Sequence, residues 1–279
     1  MYYLCGQNYV VREKSPWERA TALAIKPKEK MQKKAIIVGA TSGIGRAVTE
    51  VLLERGWQVG IAGRHIEVLQ EMQRKDLNII ATQQIDVTQE TSADALRTLF
   101  GKMGEVDLYL HSSGVGYQNP ELDEDKELRT VMTNALGMTR MILVAFKHFE
   151  SHPERRGHIA VISSIAGTKG LGAAPAYSAT KRYVNHYLEC LTQLIHIKGL
   201  KHITISDIRP GFVRTPLLSD GKTYPMQLDV RKVANEIVRG LERRKSIITI
   251  DWKYRIIVAF WRLIPRWIWV RMPIVSKSK

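Results

Sequence analysis

Ala35-Ile36-Ile37-Val38-Gly39-Ala40-Thr41-Ser42-Gly43-Ile44-Gly45 is the stretch on which the fold turns. The short apolar run Ala35–Val38 reads as a buried strand. It leads straight into a glycine-rich turn, and helical spacing follows as far as about Arg55, with Gly56 as the stop signal. Glycines at 39, 43 and 45 permit a tight turn and a close backbone approach to an anion. A helix opening there adds free N–H groups and the positive end of its dipole. A glycine triple alone is a weak sign. Set between a strand and a helix it reads as a pyrophosphate cradle, with a purely structural turn as the alternative. Its GxxxGxG spacing is also distinct from the GxGxxG of many other dinucleotide folds.

Outward from this loop, strands and helices alternate. Strand-like runs lie at Gln58–Ala62, Asn78–Ile85, Asp107–His111, His158–Ser163, Thr204–Ile208 and Ser246–Ile250. Helical spacing fills Ile66–Lys75 and about 90–103, 124–150, 176–198 and 229–243, the last with Val230, Ala234, Ile237, Val238 and Leu241 on one face. Alternation of this kind predicts an α/β fold, a doubly wound parallel sheet with helices on both faces, whose ligand lies beyond the C-terminal strand ends. The expected organisation is an arm over 1–30, a cofactor-binding domain over 31–250 and a basic, aromatic segment over 251–279. The arm reads as poorly ordered or as preceding a natural start at Met31, a packed extension being the alternative.

Of the 279 residues 44% are hydrophobic and 25% charged, enough for one sizeable core. The two cysteines, Cys5 and Cys190, are far apart and fit neither a metal site nor a disulfide framework, which points to a reducing, cytoplasmic setting. The net charge of +15 sits at the ends: residues 1–34 hold eight basic against three acidic residues, and 251–279 hold seven against one. An anionic membrane surface suits such ends, as does nucleic acid. No secretory leader and no apolar run long enough to span a membrane is expected.

Two further groups carry chemistry. The second strand ends in Gly63-Arg64 instead of an acidic residue; the glycine leaves room and the guanidinium suits a ribose 2′-phosphate, which favours NADP over NAD. Asp86, after the third strand, is placed to reach an adenine amino group. Tyr177 and Lys181 stand at i and i+4, on one helix face, where an ammonium would lower the phenol's pKa and fit it for proton transfer. Ser164, at the end of the fifth strand, would hydrogen-bond the same substrate oxygen.

The loop 39–45, Asn134, Ile162-Ser163-Ser164, Tyr177-x-x-x-Lys181 and Arg209-Pro210-Gly211 together resemble the short-chain dehydrogenase/reductase family over roughly 33–250. The resemblance implies a Rossmann-type sheet of seven strands and an Asn134-Ser164-Tyr177-Lys181 tetrad. In it Tyr177 is the general acid/base, Lys181 lowers its pKa and holds the nicotinamide ribose, Ser164 orients the carbonyl, and Asn134 supports Lys181 through a water. An ordinary interior asparagine is the alternative for Asn134. The implied cofactor contacts are Gly39, Thr41, Ser42, Gly43, Ile44, Gly45, Gly63, Arg64, Asp86, Val87, Ser113, Gly114, Asn134, Tyr177, Lys181, Pro210, Gly211, Val213 and Thr215, with no metal. Two departures stand out: Val38 replaces the usual threonine before the loop, and Ser112-Ser113-Gly114 replaces Asn-Ala-Gly.

The implied activity is interconversion of a ketone or aldehyde and an alcohol. A non-catalytic cofactor scaffold and a membrane-associated interaction protein are the competing readings. The loop Pro216–Leu228, with Leu217, Leu218, Tyr224, Met226 and Leu228, would cover an apolar, lipid-like or polycyclic substrate. Family members bury the helices at 124–150 and 176–198 between subunits, so a homodimer or homotetramer is implied. Residues 252–275 carry Trp252, Phe260, Trp261, Trp267 and Trp269 beside arginines at 255, 262, 266 and 271, with Pro265 as a break. This composition suits a membrane interface, packing on the body being the main alternative and nucleic acid a lesser one.

Overall fold

The computed structural model describes residues 32–218, 224 and 226–274. The expectations for 1–30, Met31 and the last five residues lie outside them. Seven strands form one parallel sheet: β1 (Lys34–Val38), β2 (Gln58–Gly63), β3 (Ile79–Gln84), β4 (Leu108–His111), β5 (Gly157–Ile162), β6 (Ile203–Pro210) and β7 (Ile247–Ile250), in the order β3-β2-β1-β4-β5-β6-β7. The chain winds outward from β1 to β3, then returns to β4 on the other side of β1. That reversal opens a crevice above the carboxyl ends of β1 and β4.

Period-2 alternation fills both faces. From β1, Ile36 and Val38 point to one layer and Ala35 and Ile37 to the other; Tyr109 on β4 and Ile159 and Val161 on β5 join the first, Leu110 and Ala160 the second. The first layer is covered by α3 (Ser92–Met103), α5 (Met138–Glu150) and α6 (Pro175–Ile197), through Leu99, Phe149 and Leu188 among others. The second is covered by α1 (Gly43–Glu54), α2 (Ile66–Lys75) and α7 (Val230–Glu242), through Val48, Leu69 and Val238. β1 and β4 are buried on both faces almost throughout and read as nearly continuous apolar runs.

The helix expected over 124–150 is three pieces: α4 (Glu124–Val131), a π-helical turn Met132–Gly137, and α5. At the turn Gly137 presses on Val87, where a Cβ would stand 2.8 Å from the Val87 carbonyl oxygen. The wider turn accommodates this contact and puts Asn134 on the side facing α6. After β7 come α8 (Trp252–Leu263) and α9 (Arg266–Trp269), separated at Pro265, where the sequence places a break. Among the described residues no helix is long and apolar enough to cross a membrane.

Candidate active site

The loop after β1 is held by its neighbours. Gly39 has φ +91, and a Cβ there would lie 2.6 Å from the Ser113 backbone nitrogen; one on Gly45 would lie 2.1 Å from the Gly39 carbonyl oxygen. Only glycine fits either position. Ser42 stands at the N-cap of α1 without a side-chain cap bond. The cradle for a pyrophosphate is therefore closed by the backbone of Ser112-Ser113, which β4 delivers alongside, and by Thr215, whose side chain lies 3.5 Å from where a Gly43 Cβ would be. Thr41 lies over Gly63 at the end of β2. A shallow cavity of about 310 Å³ beside it is lined by Arg64, Gln84, Ile85, Asp86, Gln89 and Ser92. Arg64 and Asp86 thus share one cavity. These residues fit a dinucleotide with a 2′-phosphate: the guanidinium is exposed, and Asp86 is fixed by bonds from Thr88 N (3.0 Å) and Oγ1 (2.7 Å).

Ser164, Tyr177, Lys181 and Asn134 come together above β5. Ser164 is buried and caps the short 3₁₀ turn Ile165–Thr168, accepting from Ala166 N at 3.0 Å. Pro175 opens α6, so Tyr177 and Lys181 fall in its first two turns on one face. Lys181 Nζ is buried, donates to the Ile162 carbonyl at 2.9 Å, and lies 5.7 Å from the Tyr177 ring centroid. Gly116 passes directly over that ring, 2.8 Å from it for a notional Cβ.

The electrostatics differ from the expectation that the ammonium lowers the phenol's pKa. Burial raises Tyr177, with a hydrogen bond from Ser164 opposing. Burial also pulls Lys181 down to about 8, and the Asp207 carboxylate opposes that. Desolvation is the leading cause for both groups, Lys181 being buried and Tyr177 half-buried beside it. Tyr177 is accordingly a protonated phenol at neutral pH.

The Asn134 amide clamps residue 115, Oδ1 accepting from Val115 N (2.9 Å) and Nδ2 donating to Val115 O (2.7 Å), with Thr180 Oγ1 as a further acceptor at 3.3 Å. Gly114 occupies the gap between Asn134 Oδ1 and Lys181 Nζ, 3.3 and 3.6 Å from its notional Cβ. Ser112 donates its N–H to Val38 O at 2.8 Å, keeping the sheet register.

At the carboxyl end of β6, which closes at Pro210, Val213 bridges to Leu228. Gly211 has a role the sequence does not announce. A Cβ there would stand 2.2 Å from the Tyr254 ring, so its missing side chain admits α8. Val87 lies buried, its carbonyl accepting from Arg140 at 3.1 Å.

A buried polar cluster behind Lys181 was also missed. Asp207 accepts from Ser163 Oγ, from Asn185 Nδ2 (2.9 Å) and from Arg209 Nε (2.7 Å). The one available signal is spacing: Asp207 and Arg209 are two apart on a strand and so share a face.

A crevice at the switch point, lined by a glycine loop and opening on a tyrosine–lysine pair, defines a Rossmann-type nucleotide-dependent oxidoreductase. The chain belongs to the short-chain dehydrogenase family, whose model matches residues 33–224. It is 26% identical over 239 residues to an uncharacterized oxidoreductase of Myxococcus xanthus, covering 83% of this chain and 92% of the relative. It is likewise 26% identical over 242 residues to dehydrogenase/reductase SDR family member 7B of Bos taurus, covering 77% and 72%. A short-chain dehydrogenase from Burkholderia cenocepacia in complex with NADP superposes with a TM-score of 0.73 at 19% identity, covering 88% of this chain and 98% of that one. A 3-ketoacyl-(acyl-carrier-protein) reductase from Brucella melitensis complexed with NADH gives 0.67 at 22% identity, covering 78% and 96%.

Proposed function

We propose that this chain is an NADP(H)-dependent carbonyl reductase or alcohol dehydrogenase for an apolar, lipid-like or polycyclic substrate, working in the cytoplasm as a homodimer or homotetramer and peripheral to a membrane. The observation that carries the chemistry is geometric: Tyr177 stands beside Ser164 with the buried Lys181 Nζ 5.7 Å from its ring centroid, and burial favours keeping the phenol's proton. NADPH held there would supply the hydride that reduces a carbonyl carbon. Tyr177 Oη would give its proton to the carbonyl oxygen, Ser164 would hold that oxygen in place, and Lys181 would stabilise the phenolate left behind. Gly39, Thr41, Ser42, Ile44 and Gly45 would hold the pyrophosphate, and Arg64 the 2′-phosphate.

An aromatic wall supports an apolar substrate: Phe212 packs on Tyr224 at 4.9 Å between ring centroids and on Tyr254 at 6.4 Å. A stripe of exposed Leu128, Met132, Leu136 and Leu143 along α4 and α5, with Tyr183 beside it on α6, supports a subunit interface. Cys190 is a free, exposed thiol, which suits a reducing compartment.

The test is a parallel titration of NADPH and NADH against wild type and Arg64→Ala, followed by turnover of long-chain and polycyclic ketones by wild type and Tyr177→Phe. Loss of a charge-assisted contact weakens NADPH roughly ten- to a hundredfold and leaves NADH unchanged. Removing the proton donor lowers turnover roughly a hundredfold or more with NADPH binding intact. Equal NADH and NADPH affinity in wild type overturns the NADP assignment, and unaltered turnover in Tyr177→Phe overturns the acid.

A further inference from the structure

Helix α8 has two apolar faces. The inner one buries Tyr254 and Val258 against Ile165, with Ile257 and Trp261 packed beside them. The outer one consists of Trp252, Ile256, Phe260 and Leu263, at i, i+4, i+8 and i+11, a continuous stripe in which Phe260 is 68% and Leu263 78% exposed. Trp267 and Val270 extend it, 65% and 63% exposed. Arg255 and Arg262, seven apart, line one edge of the stripe and Lys253 the other. Arg266 and Arg271 follow, and 252–274 contain no acidic residue.

This segment is bolted to the loops that flank the candidate active site. Trp261 Nε1 donates to Thr168 Oγ1 (2.9 Å), Trp269 Nε1 to Gly170 O (2.7 Å), and Lys169 Nζ to Ile264 O (2.7 Å) while lying 5.4 Å over the Trp269 ring. Tyr254 Oη accepts from Phe212 N at 3.3 Å and donates to Met226 O at 3.2 Å. A crevice of about 830 Å³ opens between α9 and residues 167–182, lined by Arg182 and Arg266 as well as Trp269, Met272 and Ile274.

We propose that the outer face of α8 and α9 docks on an anionic lipid bilayer, inserting the Trp252–Leu263 stripe among the acyl chains while the flanking cations meet lipid phosphates. A stripe of aromatic and aliphatic side chains fringed by cations is the pattern such an interface selects. A second copy of the chain is the poorer occupant: stripe on stripe would bring Arg255 and Arg262 of both copies together with no acidic partner. Because the same segment braces Thr168, Lys169 and Gly170 on one side and Phe212 and Met226 on the other, docking holds these substrate-side residues at the bilayer surface. The choice of a lipid-borne substrate rests on the function proposed above; the docking itself does not.

The experiment is flotation of the full chain with vesicles of phosphatidylcholine alone or mixed with an equal part of phosphatidylglycerol, at low and high salt. Wild type is compared with the double variant Phe260→Asp, Leu263→Asp, and NADPH binding is measured on both. Both side chains are exposed, so the variant keeps its fold. Wild type floats with the mixed vesicles, is released by salt, and the double variant loses at least about tenfold in partition, since withdrawing even one such side chain from an apolar phase costs that much. Equal flotation of variant and wild type, or none for either, overturns the docking surface. So does an oligomer that the double variant breaks into smaller species without vesicles, which assigns the face to a second copy. Flotation without NADPH binding leaves the docking standing and removes the reductase.

Discussion

Lys181 and Tyr177 are tuned in opposite directions by the same cause. Desolvation keeps the proton on Tyr177 and loosens it from Lys181, which titrates at about 8. Below that value the ammonium supports the phenolate formed in turnover; above it the support is withdrawn. The kcat/KM for reduction therefore runs level at neutral pH and falls as pH rises through about 8. Asp207→Asn removes the carboxylate that holds the lysine's proton, so the fall moves to lower pH, and a pH–rate profile reads the displacement; leaving Arg209 unpaired also lowers stability. His111 and His158 act on stability instead. Both are buried, and burial depresses each to about 3, helped by Lys181 in one case and Arg244 in the other. His158 Nε2 meets Ser206 Oγ at 2.7 Å and Tyr109 Oη meets His111 Nδ1 at 3.1 Å, contacts made by neutral rings. The unfolded chain takes protons on both near pH 6.5 and the folded chain does not, so stability is whole above that pH and is lost progressively towards 3. Urea unfolding at about pH 5.5 against about pH 7.5 should show a loss of about 2–3 kcal/mol. The tyrosine, lysine and serine were legible because a helical i, i+4 pair and a strand end are local facts. The Ser163–Asn185–Asp207 cluster was not, because its members come from three elements and meet only across the sheet.

Helix α1 owes its function to the turn that precedes it. Gly45 lies in the first turn of α1, against the Gly39 carbonyl, so Gly45→Ala must displace that carbonyl and the loop that carries it. The expected result is a loss of about 1–3 kcal/mol of stability, with NADPH affinity falling further than stability accounts for; thermal unfolding with and without NADPH separates the two. Strand and helix positions were legible to within a residue or two here, because apolar runs and stop signals mark them. The π-helical turn left no mark: Met132-Thr133-Asn134-Ala135-Leu136-Gly137 keeps helical spacing, and only the tertiary contact of Gly137 with Val87 widens it.

In the whole molecule, one exposed apolar face lies along α4 and α5, and another along α8. The first stripe, centred on Leu136, matches the subunit interface proposed above. Leu136→Arg would place two cations face to face at its centre, so the protein should elute as a monomer by size exclusion with light scattering and keep its NADPH affinity; an unchanged oligomer would locate the interface elsewhere. Parallel winding was legible from alternation alone, whereas the docking of α8 was not, because an aromatic segment carries the same composition whether it faces protein or lipid.

Tyr254 fills the space that Gly211 leaves at the end of β6. The two positions are forty-three residues apart in the chain and share one space. A methyl group at 211 is tolerable only in a chain whose residue 254 has shrunk, and a lineage that sheds its C-terminal helix exposes a bare turn at the end of β6. Relatives without α8 should therefore be free to carry a larger residue at 211, while those that keep the helix retain both the glycine and a flat ring opposite it.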